Sequence, residues 1–118
     1  MKKLLFLFVL ALVMFSCEKK EPQVWGDLLI ITEYERTPEE NVEVTLYNSY
    51  DNFLKYEFVE RQLSDEYGEV YFPELLAGWY YVEAEKSKSS LFAVYAMDSI
   101  QVMGTQQVNK ILIMEPTD

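Results

Sequence analysis

The side chains of this protein that could do chemistry are mostly carboxylates. Its 118 residues include 20 Asp and Glu, 10 Lys and Arg, one cysteine, Cys17, and no histidine. Because histidine is the commonest general base and the commonest metal ligand, its absence removes much catalytic and metal-binding chemistry. Paired carboxylates could still hydrolyse glycosidic bonds, but such pairs need a cleft, which a small domain seldom provides. We therefore predict that the protein is not an enzyme and has no cofactor.

A short acidic run is a candidate cation site. Asp65, Glu66 and Glu69 stand close together in the sequence and could offer carboxylate oxygens to Ca²⁺. Their spacing lacks the regular alternation of ligands found in an EF-hand loop. A solvated turn explains the run better, so we predict no metal site.

Aromatic rings are the second candidate site. Tyr47, Tyr71, Trp79 and Tyr81 alternate with neighbours that suit the inner face of a strand, so they are predicted to point outward. Exposed rings on a flat sheet could stack on sugars or form a patch that binds a protein. The alternative, which we favour, is that these rings form cross-strand pairs that only support the sheet.

The charge balance excludes another class of partner. The whole chain has a net charge of −10. Loss of an N-terminal segment containing Lys2 and Lys3 would leave 8 Lys and Arg against 20 Asp and Glu, a net charge of −12. Such an acidic surface repels nucleic-acid phosphates. We predict no binding to nucleic acids.

The N-terminal residues have the pattern of an export signal. Two lysines precede twelve apolar residues, 4–15, which would rise only about 18 Å as a helix, against about 30 Å for the bilayer core. A cleaved signal is therefore favoured over a membrane-spanning anchor. The run Met14, Phe15, Ser16 and Cys17 resembles a bacterial lipobox. The resemblance implies acylation of the Cys17 thiol, cleavage after Ser16 and acylation of the new amine.

The same resemblance implies a location. Residues 1–16 would be the signal peptide, and residues 17–23 a polar, lipidated tether that holds the protein in a membrane. Glu18 follows the cysteine, so the Asp that retains lipoproteins in the inner membrane of enteric-type bacteria is absent, and we expect the outer membrane. The charged run resembles the tethers of Bacteroidota lipoproteins. The alternative is an ordinary secretory signal with an incidental cysteine.

The rest of the chain has the two-residue period of β-strands. No helical period of useful length follows residue 17. Glycine, proline and short polar clusters separate the segments at spacings typical of a β-sandwich. We predict an all-β, seven-stranded, immunoglobulin-like sandwich over residues 24–118, with strands at residues 24–34, 42–47, 53–63, 69–72, 79–85, 91–103 and 106–114.

Two segments of this body carry a recognisable pattern. They read DEYGEVYF at residues 65–72 and LLAGWYYV at residues 75–82. The pattern resembles the signature of prealbumin-like sandwiches, a group that includes carboxypeptidase regulatory-like domains and the B-type repeats of collagen adhesins. The resemblance covers residues 26–114 and implies a fold, without marking a reaction.

Each residue of that pattern has an expected structural role. Gly68 should relieve a tight turn, and Gly78 should allow a sharp start to the next strand. Phe72 should project into the core. Tyr80 should bury its ring while its hydroxyl reaches a backbone group.

These observations favour a non-catalytic, lipid-anchored interaction or structural module of the cell envelope. Its expected partners are the membrane, through the lipid on Cys17, and an envelope protein that contacts one face of the sheet. The alternative is a carbohydrate-binding lipoprotein that uses the aromatic residues of that face.

Overall fold

The alternating body of the chain folds almost entirely as β-structure. The structure, a computed structural model, describes residues 23–117. Within that range its elements are β1 (Trp25–Tyr34), β2 (Thr37–Pro38), β3 (Glu43–Tyr47), α1 (Tyr50–Leu54), β4 (Glu60–Leu63), β5 (Glu69–Leu76), β6 (Gly78–Ser87), β7 (Ala93–Val102) and β8 (Gln107–Thr117). The all-β class is confirmed. The predicted signal peptide and Cys17 lie outside the described residues.

The strands form one mixed sheet that curls on itself. Its order is β2-β1-β8-β7-β6-β3-β4, and β5 pairs with β1 on the same edge as β2. β1 and β8 are parallel, and the other pairs within the described residues are antiparallel. We call β2, β5, β1 and the start of β8 the first half-sheet, and β7, β6, β3 and β4 the second.

β8 is the strand that joins the two half-sheets. Its residues 107–114 pair with β1, whereas residues 115–117 pair with residues 93–95 of β7. The curl brings the inner faces of the half-sheets together around a single apolar core. That core includes Leu28, Ile30, Leu46, Val70, Phe72, Val82, Val94, Ile100, Leu112 and Met114.

Strand alternation decides which side chains enter the core. In β1, Leu28, Ile30 and Thr32 are buried, and the residues between them are only partly covered. The Thr32 hydroxyl donates to the carbonyl of Gly68 at 3.0 Å, which satisfies a polar group that would otherwise be costly inside the core. The period-2 reading of this segment is thus confirmed.

One predicted strand is wrong over most of its length. Residues 53–63 were expected to be extended, but the chain instead forms α1 and a loop before β4 starts at Glu60. The Ser49 side chain caps α1 by accepting from the backbone N–H of Asn52 at 3.1 Å. The apolar alternation that suggested a strand, which includes Tyr56 and Phe58, lies on the surface. Apolar alternation predicts a strand only where another part of the protein packs over one face of that strand.

The strand at residues 69–72 is longer than expected. Pro73 was predicted to end it, but β5 continues to Leu76. Since β5 pairs with β1 on one side only, a proline without an N–H can occupy its free edge. The register with β1 shifts between Gly26 and Leu28, close to this proline. β2, a two-residue strand, was also not predicted, so the described residues hold eight strands where seven were expected.

An ion pair spans the gap where β7 and β8 separate. The Lys110 Nζ lies 2.7 Å from Asp98 Oδ2. The hydrogen bond from Lys110 lowers the pKa of Asp98 from its ordinary value of 3.8, against the opposing effect of partial burial. The pair therefore links the two half-sheets at a point that backbone hydrogen bonds do not reach.

This pair predicts a pH dependence of stability. Because the pKa of Asp98 is lower in the folded state, the stabilisation is present above pH 3.8 and is lost as pH falls through the folded value. Its size should be about 1 kcal/mol or less, since both side chains are partly exposed. Urea unfolding of the wild type and Asp98→Asn at pH 7 and pH 3 measures it. The difference between the two proteins should shrink at pH 3, and an unchanged difference would contradict the assignment.

Among residues 23–117, no helix is long and apolar enough to cross a membrane.

Candidate functional site

β6 places a tryptophan and a tyrosine on the outer face of the second half-sheet. Tyr80 and Val82 point into the core, so Trp79, Tyr81 and Glu83 point away from it. Trp79 is 62% exposed, and Tyr81 is half-buried. Residues two apart on a strand lie roughly 7 Å apart, so the two rings are neighbours on one surface.

α1 adds a third ring to this surface. Its first residue, Tyr50, lies with its ring centroid 5.5 Å from that of Tyr81, at an interplanar angle of 51°. Phe53 stacks against Tyr50 from within the same helix, at 5.8 Å. We call Tyr50, Trp79 and Tyr81 the aromatic face.

Tyr47 does not belong to this exposed surface, so its prediction as a binding residue is wrong. It pairs with Tyr81 across β3 and β6 and does point outward, but only 1% of it is exposed. The reason is α1, because Phe53 packs edge-on against the Tyr47 ring at 5.3 Å. Tyr47 supports the aromatic face from below.

Tyr71 lies elsewhere. It is exposed on β5, in the first half-sheet, and its hydroxyl donates to Asp27 Oδ2 at 2.7 Å. The other carboxylate oxygen accepts from the backbone N–H of Glu74 at 3.0 Å. Both hydrogen bonds lower the pKa of Asp27, and the bond from the Glu74 backbone has the larger effect. The structure therefore brings together Trp79 and Tyr81 of the four predicted residues.

Tyr50 is the residue that sequence reasoning missed. A usable signal was present, because Ser49 is a good helix N-cap and Asp51 suits a first helical turn. The strand-like alternation that follows outweighed that signal.

A carboxylate anchors the tyrosines beside the aromatic face. Glu83 accepts hydrogen bonds from the hydroxyls of Tyr47 at 3.2 Å and Tyr95 at 3.0 Å. Burial, and then the bond to Glu83, raises the pKa of Tyr95 far above its ordinary value. Burial and the same carboxylate also raise the pKa of Tyr47. Both phenols therefore remain protonated donors, and both Glu83 oxygens are already engaged.

The neighbouring strand supplies polar groups at the level of the rings. Gln101 of β7 is opposite Trp79, and Ser99 is opposite Tyr81. Both are exposed, and partners across an antiparallel pair share one face. An amide and a hydroxyl thus flank two accessible rings. Such a surface can stack on the apolar face of a sugar ring while its polar groups hydrogen-bond to the sugar hydroxyls.

The fold motif behaves as predicted. Gly68 has φ of +74°, and a Cβ there would lie 2.5 Å from the carbonyl oxygen of Thr32. Phe72 is fully buried. Gly78 has φ of +149° at the start of β6. Tyr80 buries its ring, and its hydroxyl donates to the Leu76 carbonyl at 2.6 Å.

The acidic run forms a turn that is closed by its own backbone. Asp65 Oδ1 accepts from the N–H groups of Tyr67 and Glu69, both at 2.9 Å. This is the local bonding expected of Asp at the start of a turn. Over residues 23–117, no group of three or more acidic or cysteine side chains is placed to hold a metal ion.

Comparison with known proteins shows a likeness to a solved structure. No family model matches the chain. No curated protein matches it either. Among solved structures it is similar to a provisionally assigned carbohydrate-binding protein from Pseudomonas aeruginosa, with a TM-score of 0.57 and 14% sequence identity. The match covers 85% of this chain and 95% of the other, so the two proteins share a fold over nearly their whole length.

Proposed function

We propose that this protein is a non-catalytic carbohydrate-binding module of the cell envelope, and that sugars bind to its aromatic face. In this proposal the curled sheet is a prealbumin-like sandwich, the lipid on Cys17 anchors it in the outer membrane, and the tether at residues 17–23 connects the two.

The exposure of Trp79 beside Tyr81 and Tyr50 carries the proposal. Leaving most of an indole in water forgoes the burial that usually stabilises a domain, so such a ring is often retained for binding. The Tyr50 and Tyr81 rings are held by their contact at 5.5 Å and by the capped helix. A sugar would therefore meet rings that are already ordered, which lowers the entropic cost of binding.

The polar neighbours favour sugar over a flat apolar partner. Ser99 and Gln101 can both donate and accept, which matches the mixed hydrogen bonding of sugar hydroxyls. The Glu83 carboxylate accepts from two tyrosine hydroxyls, so it serves to hold Tyr47 and Tyr95 in place beside the rings. The solved structure with the same fold, described provisionally as carbohydrate-binding, agrees with this direction.

Lipid anchoring is supported by the sequence. The sole cysteine follows a positively charged, apolar segment and a small residue, and it precedes β1 by only eight positions. A domain this acidic would not adhere to anionic head groups by charge, so a covalent lipid would supply the attachment.

Affinity gels test the sugar proposal. The mature domain should migrate more slowly in native gels that contain a recognised soluble polysaccharide, with a β-glucan, a galactomannan and a xylan as the first probes. Trp79→Ala should weaken binding about tenfold, a loss of roughly 1.4 kcal/mol, because stacking contributes at this scale. Tyr81→Ala should act in the same direction.

Tyr71→Ala is the matched control for those variants. It removes an exposed aromatic ring from the first half-sheet and should leave retardation unchanged. Equal retardation of the wild type and Trp79→Ala would contradict the proposal. The proposal would also be contradicted if the protein bound nothing on a full glycan array and an envelope protein co-purified with it only while Trp79 was present. That last result would favour the protein-binding alternative.

A further inference from the structure

Exposed apolar side chains gather at one end of the domain. Val24, Trp25, Leu76 and Met103 are each between 41% and 48% exposed. Val24 and Trp25 stand at the start of β1, Leu76 ends β5, and Met103 follows β7. We call these four residues the tether-end rim.

The rim is held together by the backbone. Trp25 and Leu76 are register partners across β1 and β5. The carbonyl of Val24 accepts from Ala77 N at 2.9 Å, and that of Trp25 accepts from Thr105 N at 2.8 Å. A Cβ on Gly104 would collide with Val24, which places the loop after Met103 directly against it. These contacts place the four residues next to one another at one end of the sheet.

The opposite end has a different character. Its turns carry Glu35, Arg36, Glu40 and Glu66, all exposed. Its exposed apolar residues, such as Tyr67 and Leu91, are scattered among these charges and the Lys88–Glu39 ion pair. The rim lies at Trp25 and the far turn follows Tyr34, so the length of β1 separates them, about 30 Å at 3.3 Å per residue.

The distance to Cys17 limits what can cover the rim. Six residue steps separate Cys17 from Gln23, the first described residue, and they span at most about 22 Å. A lipid on Cys17 would therefore hold this end, and not the charged end, next to the bilayer. Tryptophan is enriched at membrane–water interfaces, where its ring contacts the acyl boundary and its N–H stays hydrated.

The local charges indicate an apolar mode of contact. Among residues 23–117, Asp27 and Glu74 are acids that lie beside the rim, and Asp27 is engaged by the Tyr71 hydroxyl and the Glu74 backbone. Neither acid would attract an anionic surface. Contact with a bilayer should therefore depend on apolar burial, persist in zwitterionic lipid and be insensitive to salt.

We propose that the tether-end rim inserts into the interfacial zone of the bilayer to which the protein is anchored. The domain then stands on this end, with the aromatic face directed sideways. This inference rests on the proposed lipid anchor for the position of the rim, but not on sugar binding.

Tryptophan fluorescence tests the proposal on the lipidated protein. The chain has two tryptophans, so Trp79→Phe leaves Trp25 as the sole emitter. The protein is purified from membranes and reconstituted in phosphatidylcholine vesicles whose lipids are brominated near the head group. The Trp25 emission should shift to shorter wavelength and be quenched.

A probe at the far end provides the control. Tyr67→Trp, with Trp25→Phe and Trp79→Phe, places a single emitter in the exposed turn before β5. Trp25 should be quenched severalfold more strongly than this probe, at both low and high salt. Absent quenching of Trp25 would overturn the proposal, and so would equal quenching of both probes, which would mean that the domain has no preferred end.

The proposal of lipid anchoring and the proposal of rim insertion can be tested separately. Intact mass of the purified protein reports acyl chains on Cys17. If they are absent, the anchor proposal fails, and the lone thiol can be coupled to a maleimide lipid that holds the domain by the same tether. The quenching pattern then still supports or overturns the proposal that the rim inserts into the bilayer.

Discussion

Replacing Phe72 with alanine is expected to lower the free energy of unfolding by about 3–5 kcal/mol. The ring is fully buried and pairs with Leu28 across β5 and β1, at the centre of the core shared by both half-sheets. Removing it would leave a cavity that rigid strands on both sides cannot close. Urea unfolding followed by circular dichroism measures the loss. A domain of this size is stabilised by roughly 5–15 kcal/mol, so the variant should unfold at a much lower urea concentration.

The neighbouring residue is the matched control for this variant. Tyr71→Ala truncates a ring on the same strand that points to solvent. It removes the hydrogen bond to Asp27, which is exposed, so the cost should be about 1 kcal/mol or less. If the two variants lost similar stability, the assignment of inner and outer faces on β5 would be wrong.

Replacing Cys17 with serine is expected to remove the protein from the outer-membrane fraction. Serine cannot form the thioether that the lipobox resemblance implies, so neither acylation nor the linked cleavage after Ser16 should occur. Several acyl chains, at about 0.8 kcal/mol per buried CH₂, hold a protein far more firmly than the rim could by itself. Fractionation of cells that express the variant, with detection on immunoblots, measures the change.

Ser16→Ala is the control for that change. It keeps a small residue before the cysteine, so processing and membrane association should match the wild type. A Cys17→Ser protein that remains membrane-bound and is processed as before would contradict the lipoprotein interpretation, leaving the secretory-signal alternative or a different anchor.

The core was the part of the fold most accessible to sequence reasoning. β6 alternates in its second half and carries the fold motif, so Tyr80 and Val82 could be assigned to the inner face from the sequence. Turn chemistry was equally readable, because Gly68 needs a backbone conformation that other residues resist. These features depend on residues close together in the chain.

The errors arose where the outcome depends on distant packing. Residues 53–63 alternate like a strand, yet a serine cap and the cover available over β3 produced α1 and a loop. The four aromatic residues predicted to share one face also do not lie together. Tyr47 has the outward orientation that the pattern indicates, but Phe53 covers it.

From its sequence alone, this protein is all-β, acidic and poor in catalytic groups, and the inner side of each well-patterned strand is determined. Only the tertiary structure decided which outward aromatic rings share a surface. The two-residue period specifies the side of a strand to which a residue points. It does not specify the half-sheet that the strand joins, or the element that packs over it. For that reason Trp79 and Tyr81 meet Tyr50, while Tyr71 lies on the opposite half-sheet bound to Asp27.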